Sequence, residues 1–165
     1  MKSLTCIAGI IALSACTPPL EITQPNATAG VVSTVDRARI TSYRTTEIRT
    51  YTMQDDAQVE VGNQVCSLRS EEVAAQVITP IRVDIPRFVQ SGNFENRGRP
   101  MPLQISCEGN GLQGAETVFA QDKQVSTATN AGIGGAILST VVSAAVASST
   151  PWRFPEAVKV TVRPY

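Results

Sequence analysis

The side chains able to do chemistry in this sequence are four cysteines, two adjacent carboxylate pairs and a group of arginines, in a chain with no histidine. Nucleophilic catalysis needs a nucleophile beside a base, most often histidine, and none is available. A Ser-Lys hydrolase would have to use Lys123 or Lys159, neither of which sits in a recognisable motif. Asp55-Asp56 and Glu71-Glu72 supply carboxylates, but neighbours on a strand point to opposite faces, and both pairs read as solvated turn acids. A zinc site would rest on thiolates and carboxylates alone, which argues against a metal. No phosphate loop with its Lys and Ser/Thr follows a strand, and Gly132, Gly134 and Gly135 miss the dinucleotide spacing. The chain is therefore expected to be no enzyme, with no catalytic residue, metal or cofactor. What remains is recognition. Arg82, Arg87, Arg97 and Arg99 fall within 18 positions, against Asp84 and Glu95. They offer an anion-recognising edge for a lipopolysaccharide phosphate or a peptide carboxylate, or else a solvated strand edge and loop.

The N-terminal residues say where such recognition would happen. Lys2, the apolar stretch Leu4 to Leu13, and the small residues Ser14 and Ala15 follow the order of a secretory signal peptide. The stretch is shorter than the roughly 20 apolar residues a bilayer span needs. Leu13-Ser14-Ala15-Cys16 resembles the lipobox of bacterial lipoproteins. That resemblance implies removal of residues 1–15, diacylglycerol on the Cys16 sulfur and acylation of the new amino group. Thr17 stands where such lipoproteins carry Asp for inner-membrane retention, so the outer membrane, at its periplasmic face, is the expected location. One acyl chain binds a membrane only marginally, whereas three make attachment effectively permanent.

Cys6 leaves with the signal and Cys16 is committed to lipid, so Cys66 and Cys107 are the remaining pair. In an exported protein such a pair is expected as a disulfide in preference to free thiols or a metal site. Closing a loop of about 40 residues stabilises by roughly 3–4 kcal/mol in the chain-entropy picture. Basic and acidic residues balance at 14 each, and loss of Lys2 changes this by one. A nucleic-acid binder would show a basic face or tail, so that class is not expected.

Residues 16–35 are rich in Thr, Pro, Gln, Asn, Ala and Gly and read as a flexible tether reaching roughly 25 Å. Residues 36–165 read as one domain. Glu47 to Thr52 suits a strand, Ala57 to Val61 alternates, Gly62-Asn63 can turn, and Gln64 to Leu68 completes a strand pair. Glu71 to Ala75 fits a short helix or a strand equally. Ile81, Val83 and Ile85 share one face; after a polar loop from Ser91 to Pro100, so do Met101, Leu103, Ile105 and Cys107. Thr117 to Ala120 is a shorter candidate, and Val158, Val160 and Val162 alternate at the end. Short strands between turn signals predict a mainly β protein, a small antiparallel β-sandwich.

Between Lys123 and Arg153 there is no charge. At helical spacing Ala131, Gly135, Ser139, Ser143 and Ala147 form a stripe of small residues opposite Ile133, Ile137, Leu138, Val141, Val142 and Val146. A Gly/Ala/Ser-rich helical or hairpin insertion over about 128–150 is expected, packed on the sheet. Alternatively it inserts in a membrane or self-associates through its small face.

The order of features is similar to a family of small bacterial lipoproteins with a PEGA-like β-sandwich domain. The pieces that carry this are the lipobox, Cys66-Ser67-Leu68, Thr79-Pro80-Ile81-Arg82-Val83 and Pro102-Leu103-Gln104-Ile105-Ser106-Cys107. The Gly- and Ala-rich stretch ending Pro151-Trp152-Arg153-Phe154-Pro155-Glu156 follows, and then Val158 to Val162. The likeness spans about residues 60–165. It implies a fold and a location and no catalytic residues. The expected function is a non-catalytic binding or assembly module of the cell envelope, held to the membrane by lipid and meeting an envelope protein or a second copy of itself. The alternatives are a membrane-inserting or self-associating lipoprotein using 131–149 and, less favoured, an envelope hydrolase.

Overall fold

The computed structural model describes residues 18–93, 95–122 and 150–165. Cys16 with its lipobox, and the expected insertion with Ala131, Gly135, Ser139, Ser143 and Ala147, lie outside them. The described residues form the expected β-sandwich, with alternation along the strands deciding which side chains enter the core. On β7 (Ile81–Phe88) the row Ile81, Val83, Ile85 is buried, as is Leu103, Ile105, Cys107 on β8 (Leu103–Gly109). Val158 and Val160 on β10 (Ala157–Thr161), with Val162 beyond it, complete the set. On β3 (Ile40–Gln54) the inward row is Thr46, Ile48, Thr50. Its hydroxyls are satisfied: Thr46 donates to the Pro155 carbonyl, and Thr50 donates to the Val61 carbonyl and shares a 2.8 Å bond with Thr79.

One sheet runs β1 (Ala27–Thr28), β7, β3, β10, with β4 (Ala57–Val61) also on β3. The other runs β11 (Arg163–Pro164), β9 (Leu112–Val118), β8, β5 (Val65–Arg69), β6 (Val73–Ile78), β2 (Gly30–Val31). Asp55-Asp56 and Asn110-Gly111 each turn a hairpin with both φ positive, the geometry whose twist matches the flanking strands. Cys66 and Cys107 face each other across β5 and β8 and are joined by a disulfide with their Cα atoms 4.0 Å apart. Such close spacing suits a directly opposed antiparallel pair.

Four expectations are corrected. The first sheet is mixed, because β1 runs parallel to β7 and β10 parallel to β3, whereas the second is antiparallel throughout, as expected. Residues 27–31 are ladder-bound where a tether to Val35 was expected: β1 joins the first sheet, Ala29 is buried, and β2 joins the second. The helix α1 (Thr34–Ala38) follows, capped by the Ser33 hydroxyl accepting from the Asp36 amide. Met101 is 47% exposed, because β8 begins only at Leu103 and alternation does not extend back to it. Glu72 is no solvated turn acid: it is 6% exposed, accepting the Met101 amide on both carboxylate oxygens and the Ser70 hydroxyl.

The C-terminal segment mirrors residues 27–31. It starts in the first sheet as β10, buries Val162, and ends in the second as β11. At the crossing β10 meets β9 so closely that a Cβ on Gly114 would lie 2.1 Å from the Thr161 carbonyl oxygen.

Candidate functional site

Two strands and the segment leading into β10 build an open groove of about 470 Å³, lined by Arg44, Thr45, Glu47, Arg82, Arg87 and Glu156. Arg44 occupies the next place outward in the Thr46, Ile48, Thr50 row, where the core ends and a charged side chain can reach solvent. Arg82 lies opposite Glu47 in the β3–β7 register and pairs with it at 3.7 Å. Arg87 lies opposite Ser42, beside the bulge between Ile40 and Ser42. The segment entering β10 brings Glu156, whose carboxylate pairs with Arg44 and whose carbonyl accepts the Glu47 amide.

The carboxylates on this surface are shared out unevenly. Arg49 takes Glu47 at 2.5 Å and Glu60 at 2.5 Å, and these bonds raise its pKa although burial opposes them. Glu47 is thus already engaged when Arg82 reaches it. Arg44 goes the other way: burial first, then the positive charges of Arg153 and Arg87, lower its pKa. Arg87 has no carboxylate partner among the described residues, and its Nε is buried without a hydrogen bond. The groove therefore holds a fixed guanidinium donor among like charges. An incoming carboxylate or phosphate would pair with the outer nitrogens of that guanidinium and relieve the repulsion.

The four arginines singled out in the sequence separate in space. Arg82 and Arg87 line the groove, whereas Arg97 and Arg99 flank Trp152, their guanidinium carbons 6.0 Å and 5.5 Å from its ring. Arg97 donates to Gln90, and Arg99 Nε donates to the Ala120 carbonyl at 3.1 Å. Their work is to fasten the loop holding the 3-10 turn Glu95–Gly98 over a buried Trp152, whose Nε1 donates to the Arg97 carbonyl. The expected single edge is corrected accordingly. Arg44, Arg153 and Glu156 were missed because strand pairing alone brings them together. The legible signal was Arg44 itself, an arginine continuing the inward row of a strand.

Among the described residues no cluster of His, Cys, Asp or Glu is placed to hold a metal ion, and no helix is long and apolar enough to cross a membrane. Of the two lysines weighed for a Ser-Lys pair, Lys159 sits over the Tyr51 ring at 5.3 Å and Lys123 lies outside the described residues. Asp55 and Asp56 form the exposed β3–β4 turn. No family model matches the chain, and no curated protein or solved structure matches it significantly.

Proposed function

We propose that this chain is an outer-membrane lipoprotein of PEGA-like type, anchored through Cys16, and that it acts as a non-catalytic binding module of the cell envelope. The arginine groove is its recognition surface, and its ligand is anionic. The observation that carries the reading is Arg87, a guanidinium whose Nε is buried in the groove wall with no partner. The side chain lines the groove without a carboxylate partner among the described residues, and an anion at the outer nitrogens of its guanidinium would supply one.

Each half of the proposal has its own test. In membrane fractionation of cells expressing the full chain, Cys16→Ala should move the protein from the membrane to the soluble fraction. Tight retention of that variant would instead favour insertion of residues 131–149. For the groove, inorganic phosphate or acetate added to isotope-labelled protein should shift the Arg87 Nε–H resonance before those of Arg97 and Arg99. An unmoved Arg87 signal would remove the groove from consideration.

A further inference from the structure

The groove borders a stretch of sheet edge with no partner among the described residues. Along a strand, the backbone N–H and C=O of one residue point to the same side and alternate from residue to residue. The Glu47 amide donates to the Glu156 carbonyl, and the Tyr51 carbonyl accepts the Val162 amide, so the odd-numbered residues of β3 face β10. Ladder pairing with β10 starts at the Glu47–Ala157 pair and extends only toward Tyr51. Tyr43 and Thr45 consequently aim their backbone groups past the beginning of β10. Their opposite numbers on β7 agree: the Asp84 carbonyl accepts the Ala29 amide and so points away from Thr45, and Pro86, opposite Tyr43, has no N–H to give. Two amides and two carbonyls form an open edge beside Arg44.

Natural sheets generally cover or blunt such edges, because an exposed row of donors and acceptors templates another strand. The surrounding charge selects what that strand can be. A second copy pairing antiparallel around this point would set Arg44 against Arg44, and like charges facing each other across strands destabilise the pair. A strand carrying a carboxylate meets three guanidiniums against two carboxylates in the groove, with Glu156 on Arg44 and Glu47 on Arg82, so the surplus positive charge is that of Arg87.

We infer that β3 receives an extended acidic peptide by strand addition, its backbone pairing with Tyr43 and Thr45 and its carboxylate seated against Arg44 and Arg87. This rests on the groove being an anion site and names the ligand class. Main-chain pairing would supply affinity, and the guanidinium pair would supply the preference for acid. Tyr43, 48% exposed on the outer row, would lie against the incoming strand's own side chains.

The test uses the full chain and a short peptide of alternating Val and Thr with a central Glu, read by amide hydrogen exchange and by the Arg87 Nε–H resonance. The Tyr43 and Thr45 amides should exchange rapidly in the free protein and become protected on binding. Replacing the peptide's Glu by Gln, or Arg87 by Gln, should weaken binding about tenfold or more. Backbone N-methylation of the peptide should abolish protection, and this control leaves the protein's fold untouched. Tyr43→Pro should act likewise, since an edge position whose N–H is unpaired tolerates proline in the free protein. If Arg87 responds to the peptide and to inorganic phosphate while the two amides stay unprotected, the anion site stands and strand addition is overturned. If neither ligand moves Arg87, the groove reading itself is lost. Binding confined to phosphatidylglycerol vesicles would make the ligand a lipid headgroup and overturn the peptide assignment.

Discussion

Arg49 and Arg87 carry the same charge on adjoining parts of one sheet and meet opposite circumstances. The first is held by Glu47 and Glu60, while the second has a buried Nε with nothing to donate to. Arg49 has Glu47 two residues before it on the same strand and Glu60 opposite the nearby Tyr51, whereas Ser42 lies opposite Arg87. The same acids act on Tyr51, whose pKa is raised by burial first and then by Glu60. The neutral phenol is thus favoured by folding, so this contribution to stability is complete below the ordinary phenol value of about 10 and is lost as pH rises through the higher folded value. Tyrosinate absorbance of the wild type minus that of Tyr51→Phe should show a midpoint above about 10; a midpoint at or below it would contradict the assignment.

Strand elements in this chain vary in how openly the sequence announces them. β7, β8 and β10 were legible because the first two put three apolar side chains on one buried face and β10 puts two, continued by Val162, and branched residues at period two have few other uses. β6 was ambiguous: Val73-Ala74-Ala75-Gln76-Val77 buries Val73 and Val77 but spaces them with residues that suit a helix equally well. β1 and β2 were invisible, since their two-residue ladders are held by backbone bonds that any small residue can make. Cys66 and Cys107 were paired correctly by elimination and redox context, although their facing positions on β5 and β8 could not be read from spacing. Gly114 carries a constraint that shows only in the assembled structure. Gly114→Ala should destabilise by about 2–3 kcal/mol, seen as a lower urea midpoint, because the Thr161 carbonyl occupies the space the methyl needs. An unchanged midpoint would mean that β9 and β10 can separate without cost.

At the scale of the whole molecule, both described terminal segments bind one sheet and then the other, so each closes the sandwich along an edge. The arginine groove follows from this closure, because the segment delivering Glu156 beside Arg44 is the one that leads into β10. Two of the six groove residues were legible, because Arg82 and Arg87 lie on one strand, whereas Arg44 and Glu156 are far apart in sequence and adjacent only when the sheet forms. Removing residues up to Val32 should cost about 3 kcal/mol in chemical denaturation, from the lost ladders to β7 and β6 and the burial of Ala29. Stability equal to the full chain's would show that segment to be a passive leader. Its double attachment also sets how the molecule carries load. Tension applied from the N-terminal side enters through residues 27–31, which are bonded to both sheets at once, and cannot be relieved by peeling a single hairpin. In the second sheet the strain passes from β2 to β6 and then β5, where the covalent link to β8 stops it. A pull from that end is therefore divided between β7 in one sheet and β6 in the other, so neither sheet can open without loading its neighbour.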